Sequence, residues 1–249
     1  MIGPSEGVSM ASALHREIKR KINEVGIAGT LKLGVCKLIC DISKLTSFKK
    51  QDLHPFDLRY GTDTSGIIEP GALDIPDDQV KHAVRYQTAI VDVFLDILNS
   101  LSISYEEYLF VDLGSGKGRA LLLASQFPFK GIIGVELSEN LHRIACRNIN
   151  IYRDELQQCH KIKSVCEDAA KFKIPNDQIA FYLFNPFDEH VMSSLLLNIE
   201  DSIHRHSRDI YIAYLKPVHR VVFDRAPFLQ VAKETERYVI YKNKPIASS

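Results

Sequence analysis

The chain has 249 residues, 45% of them apolar, with an ordinary 13 glycines and 10 prolines. That length and apolar content suit one large folded domain and exclude a disordered or fibrous chain. Lys plus Arg equals Asp plus Glu at 31 each, so the chain lacks the overall positive field that non-specific nucleic-acid binding would use.

The charge is uneven along the chain. Residues 1–50 carry nine basic side chains against four acidic ones, so this segment is +5 and the remainder −5. Within it, Leu14, Ile18, Ile22 and Val25 recur at helical spacing over Ser9–Val25, and a second helical pattern covers Leu31–Leu45. Residues 1–53 therefore read as an N-terminal helical extension whose basic face is solvated or meets an acidic partner or headgroups. Residues 54–78, punctuated by Pro55, Gly61, Gly66, Pro70, Gly71 and Pro76, read as a loop or lid, with Tyr60, Thr62 and Thr64 as candidate substrate or lid residues. A single helix is expected over Gln79–Leu98, opening a domain of residues 79–249.

From Tyr108 onward strand and helix patterns alternate. Tyr108–Val111 ends in Asp112 and a glycine-rich turn, and an apolar helical run follows from Ala120. Gly131–Val135 is a second strand ending in Glu136. Ser138 can cap the helix that carries Leu141, Ile144, Ala145 and Ile149. Ile162–Cys166, the fully apolar Ile179–Phe184 and Ile210–Leu215 read as strands, with a helix over Val191–Ile203. Phe228–Lys233 and Arg237–Lys242 read as a closing antiparallel pair. This alternation predicts an α/β fold: a doubly wound, Rossmann-like, mostly parallel sheet with a C-terminal antiparallel strand, its ligands at the carboxyl ends of the strands.

The turn Asp112-Leu113-Gly114-Ser115-Gly116-Lys117-Gly118-Arg119 is the densest signal. Glycines let backbone approach a ligand closely, and a helix start offers free N–H donors. Glu136, about twenty residues on, suits a ribose diol. A dinucleotide fingerprint wants a small residue where Arg119 stands, and a P-loop wants Gly-Lys-Ser/Thr where Gly118 follows Lys117. What remains, Asp-x-Gly-x-Gly-x-Gly, resembles the first motif of class I S-adenosylmethionine-dependent methyltransferases.

That resemblance implies S-adenosyl-L-methionine as cofactor, held by Asp112, Gly114, Ser115, Gly116, Gly118 and Glu136. It also implies a contact from Asp168, after the third strand, to the adenine amino group. Asn185-Pro186-Phe187 leaves the fourth strand where proline ends it. The triplet is similar to the Asn/Asp-Pro-Pro-aromatic of amino-group DNA methyltransferases, without the second proline. It is similar too to the Asn-Asn-Phe of non-SET histone-lysine methyltransferases, with Pro186 in place of the second Asn. Asn185 is accordingly the candidate catalytic residue and a further cofactor contact, with Pro186 and Phe187 beside the substrate.

The acceptor is not named by the sequence. A small molecule, saccharide or peptide is the first reading. A protein-lysine or other protein N-methyltransferase, or a non-catalytic cofactor-binding module, is the alternative. Nucleic acid is disfavoured by neutrality and the missing proline. Five scattered cysteines lack zinc-site partners, so no metal site is expected and they read as buried free thiols of a cytoplasmic protein. No signal peptide is expected, and no apolar run approaches the ~20 residues of a membrane span.

Overall fold

Short runs, apolar in the central strands and more polar at the two edges, build the sheet. These are β1 (Tyr108–Leu113), β2 (Gly131–Glu136), β3 (Ile162–Cys166), β4 (Gln178–Phe184) and β5 (Ile210–Leu215), followed by β6 (Leu229–Glu234) and β7 (Tyr238–Asn243). In this computed structural model, which describes residues 54–245, they form one seven-stranded sheet of order β3-β2-β1-β4-β5-β7-β6. Strands β1 to β5 are mutually parallel, and β7 runs antiparallel between β5 and β6. The fold is the doubly wound α/β sheet expected from the alternation. The extension of residues 1–53 lies outside the described residues.

Both faces of the sheet are covered, as a parallel sheet requires. On one face Phe94, Ile97, Phe110, Leu121 and Leu122 pack together; on the other Val111, Phe181, Leu183, Met192, Leu195 and Ile212 do so. The strand order turns back between β1 and β4. A crevice opens beyond the carboxyl ends at that point, where α/β sheets place their ligands.

Local chemistry sets the helix starts. Ser138 Oγ accepts from Leu141 N, opening the helix Glu139–Ile151, and the carboxylate of Asp188 accepts from Val191 N, opening Glu189–Arg205.

Two expectations are corrected. Gln79–Leu98 is not one helix: a single turn at Asp77–Val80 is followed by irregular chain and then by the helix Val91–Asn99. The backbone of the intervening residues is satisfied elsewhere. Tyr86 exchanges hydrogen bonds with Ile68 (2.9 and 3.3 Å), and Ala83 bridges to Phe187. Residues 54–78, read as irregular, begin with the helix Pro55–Tyr60. Its punctuating residues are its ends: Pro55 at the first position, His54 Nδ1 accepting from Phe56 N, and Gly61 at φ 69°. Of the three free cysteines among the described residues, Cys159 is buried, whereas Cys166 is exposed.

Candidate active site

Gly114, Gly116 and Gly118 all lie at positive φ (83, 54 and 87°). The N–H groups of Gly114 and Ser115 donate to Val135 O at 2.9 and 3.0 Å, tying the turn to β2. A Cβ at Gly116 would come 2.2 Å from Tyr86 Cε2, and one at Gly114 2.6 Å from Pro186 Cβ. The turn is therefore glycine because two other segments, one of them the exit from β4, close onto it.

Glu136 ends β2 with its carboxylate buried. One oxygen accepts from Gly116 N at 2.7 Å and the other from Ser138 N at 2.8 Å. Burial nevertheless pushes its pKa above the ordinary carboxylate value, because these bonds only partly offset lost hydration. Asp112, one residue before the end of β1, is driven further up, first by burial and then by the charge of Glu136. Across the sheet from it stands Tyr182. The Tyr182 hydroxyl and Ser115 Oγ are buried with no hydrogen-bond partner. Asp112, Ser115 and Tyr182 line a small cavity together with Gln87 and Thr88.

A larger cavity adjoins it, about 790 Å³ of space between atoms with its mouth included. Glu136 and Asp168 line it with the apolar Leu73, Ile75, Leu141 and Ala169; Phe184, Pro186 and Phe187 line it too. These groups fit S-adenosylmethionine. An apolar lining that also holds two carboxylates suits adenosine, and a buried carboxylate with orphaned hydroxyls suits a charged amino-acid end.

At the ends of β4 and β5 the chain takes an unusual turn twice. Phe184 pairs with Leu215, and the next residue of each strand, Asn185 and Lys216, is left-handed at φ 42 and 49°. Such non-glycine conformations cost of order 1–3 kcal/mol each and cluster at functional sites. Asn185 does not line the larger cavity. Its Oδ1 accepts from Tyr214 OH at 2.9 Å, while Pro186 and Phe187 form the wall.

Tyr60, Thr62 and Thr64 do not line the cavity either. The Tyr60 hydroxyl donates to Asp154 and its ring packs on Tyr152. The Thr62 and Thr64 hydroxyls donate to Asp57 Oδ1 at 2.7 and 2.6 Å, and Arg119 Nε donates to Thr64 Oγ1 at 2.7 Å. Arg119 and Asp57 form an ion pair at 3.3 Å with side chains 2% and 0% exposed. Lys117 Nζ donates to Asp63 and to Ser65 O. Residues 57–65 are thus a strap fastened to the glycine turn, set by Lys117 and Arg119.

The segment 82–88 supplies what sequence reasoning missed. His82, Arg85, Tyr86 and Gln87 line the larger cavity, and the Tyr86 and Thr88 hydroxyls donate to Thr64 O. His82 Nδ1 lies 2.5 Å from Asp188 Oδ2. The available signal was Gln87, a polar residue in an otherwise apolar helical stripe.

Residues 78–172 match the family model described as histone methylation protein DOT1, about two fifths of the chain, ending before β4. No curated protein matches the chain. Among solved structures it is similar to a magnesium protoporphyrin IX methyltransferase from Synechocystis with S-adenosylmethionine bound (14% identity over 62% of this chain and 76% of that one, TM-score 0.41). It is also similar to a methyltransferase of Aquifex aeolicus dependent on S-adenosylmethionine (12% over 61% and 89%, TM-score 0.46). A third is an RNA methyltransferase from Salinibacter ruber in complex with S-adenosylhomocysteine (15% over 65% and 95%, TM-score 0.43). Motif, cradle and family match together make the chain a class I methyltransferase, an enzyme whose cofactor is S-adenosylmethionine. Among the described residues no helix is long and apolar enough to cross a membrane.

Proposed function

We propose that residues 79–249 form the methyltransferase domain and that it methylates a small molecule, saccharide or peptide entering beside Phe184, Pro186 and Phe187. The observation that carries this reading is the larger cavity, whose lining includes both Glu136 and Asp168 and the exit of β4 at Phe184, Pro186 and Phe187. When bound, the cofactor supplies an electrophilic methyl on a sulfonium, open to in-line displacement. The protein's task is then alignment, which can supply about 7–11 kcal/mol.

In this reading Glu136 takes the ribose hydroxyls and Asp168 the adenine amino group. Asp112 faces the methionine ammonium, with Tyr182 and Ser115 completing its polar pocket. The backbone of Gly114, Ser115, Gly116 and Gly118 lies along the cofactor. Pro186 and Phe187 exclude water from the reacting end. Asn185 acts through Tyr214 and its own backbone, holding that wall in place. A base is needed only for a nucleophile that arrives protonated. His82, oriented by Asp188, is the one imidazole among the described residues lining the cavity.

The family match favours protein-lysine methylation as a second reading, though the matched residues cover the cofactor side and not β4 or β5. Arg85 at the cavity and Lys216 at the end of β5 are poorly placed to welcome a cationic lysine-rich segment. Labelled methyl transfer from S-adenosylmethionine into fractionated cell extract, with mass identification of the product, decides between them. A labelled small product is expected. Label confined to protein would establish the second reading, and cofactor binding without turnover on any fraction would indicate a binding module.

A further inference from the structure

Two cationic side chains and an amide gather where the exit from β5 meets the segment 82–88. Gln87 stands between Arg85 and Lys216. With its amide oriented to satisfy both of its groups, its oxygen accepts from Nη2 and Nε of Arg85 at 2.8 and 2.5 Å. The opposite orientation would exchange these two bonds for a single 3.4 Å contact with Lys216. In the favoured orientation the amide oxygen is turned to Arg85, so Gln87 no longer accepts from the Lys216 ammonium.

The backbone holds Lys216 to this task. Its left-handed φ of 49° is fixed by Lys216 N donating to Arg237 O at 2.9 Å, and its Nζ rests 5.1 Å from the centroid of the Phe184 ring. No carboxylate among the described residues pairs with Arg85 or Lys216. Both Phe184 and Gln87 line the larger cavity.

We propose that Arg85, Gln87 and Lys216 form an anion-recognition site at the acceptor entrance, so that the acceptor is a molecule carrying a carboxylate or phosphate next to an apolar or flat portion lying on Phe184. Two cations and an amide donor supply the charge-assisted bonds, and the ring supplies the apolar contact. This rests on the reading that the acceptor enters beside the exit of β4. The sheet order supports it, because Lys216 ends the strand beyond β4, two places from β1 and three from the strand that carries Glu136.

The anion could also be the cofactor's own carboxylate, and the test separates the two sources. The full chain is loaded with S-adenosylhomocysteine and titrated with benzoate and with its neutral counterpart benzamide. The same titrations are made on Lys216→Gln and on the double variant Arg85→Gln/Lys216→Gln. S-Adenosylhomocysteine and 5′-methylthioadenosine, which lacks the carboxylate, are titrated into all three unloaded proteins. Saturable benzoate binding is expected, about three- to ten-fold weaker in the variants, with benzamide much weaker throughout and S-adenosylhomocysteine affinity unchanged. Benzoate binding that is absent, or equal in all three proteins, overturns the proposal. Loss of S-adenosylhomocysteine affinity with 5′-methylthioadenosine unaffected overturns it too, by assigning the cations to the cofactor. Failure of S-adenosylhomocysteine to bind the wild-type chain would instead refute the cofactor assignment beneath it.

Discussion

The ends of β1 and β2 and the ends of β4 and β5 share one edge of one sheet, yet they are built on opposite principles. At β1 and β2, positive φ is confined to glycines, and the carboxylate of Glu136 is locked between two backbone N–H groups. The turn is also strapped from outside by the buried pair Arg119–Asp57. At β4 and β5, positive φ falls on Asn185 and Lys216, and Lys216 is exposed. A cradle for an invariant ligand can be fixed by backbone. On the proposed reading, a variable acceptor meets side chains projecting from strand ends, and these can change without disturbing the sheet.

The sharpest way to break the contrast is to cut the strap. Arg119→Leu leaves Asp57 buried and unpaired, and should destabilise the protein by about 3–5 kcal/mol. Denaturant unfolding measures this, and a change below 1 kcal/mol would show that the strap is decoration. Asp57 also gives the acid response. Burial raises its pKa, but hydrogen bonds from Ser65, Thr64 and Thr62 outweigh that, so its folded value lies below the ordinary one. A depressed folded pKa stabilises above the unfolded value and is lost as pH falls through the folded value. The wild type should therefore shed this contribution only below about pH 4, and Asp57→Asn should flatten that limb.

A smaller effect, confined to the ligand, is expected at Glu136. Glu136→Ala should weaken cofactor binding by about 1.5–3 kcal/mol, roughly ten- to a hundred-fold, with the fold intact. Calorimetry returning wild-type affinity would reduce Glu136 to a bracket for the glycine turn. Asp112 should behave in the opposite sense for stability. A folded pKa raised by burial and by Glu136 means that ionisation opposes folding as pH rises past the unfolded value. Asp112→Asn should thus raise the melting temperature of the ligand-free protein at neutral pH, while weakening the cofactor by about ten-fold. A lower melting temperature would show that the charge is compensated.

The same contrast explains what could be read from the sequence. The cofactor half depends on main-chain geometry, and main-chain geometry constrains residue type: only glycine tolerates the contact of Gly116 with the Tyr86 ring, so the turn shows in the letters. The runs of β1, β2, β4 and β5 were legible because both of their faces are buried. Residues 82–88 were not legible. Val80, Val84 and Val91 fit a helical stripe, and nothing local reveals that Ile68 and Phe187, far away in sequence, supply the hydrogen bonds that keep this stretch extended. Thr62 and Thr64 looked like lid residues because a hydroxyl in a polar loop carries no mark of its partner. Their partner, Asp57, lies in a helix that punctuating residues concealed.

Asn185 gives the smallest expected effect and the finest distinction between the two halves. Its side chain is spent on Tyr214, and its backbone sits at φ 42°. Two substitutions separate those roles. Asn185→Gly removes the side chain but keeps the left-handed backbone accessible. Asn185→Ala removes the same hydrogen bond and adds about 1–2 kcal/mol of backbone cost. If Asn185 serves by turning the chain so that Pro186 and Phe187 close on the glycine turn, cofactor affinity should be unchanged in both variants. Turnover on an identified acceptor should fall in the alanine variant and stay within about two-fold in the glycine variant. Calorimetry beside single-turnover rates on both proteins provides the comparison. An equal, large loss of turnover in both, with cofactor affinity intact, would mean that the side-chain oxygen leaves Tyr214 to meet the nucleophile. The acceptor half would then hold a group acting directly in the transition state, as the similarity of Asn185-Pro186-Phe187 to amino-group methyltransferases implies.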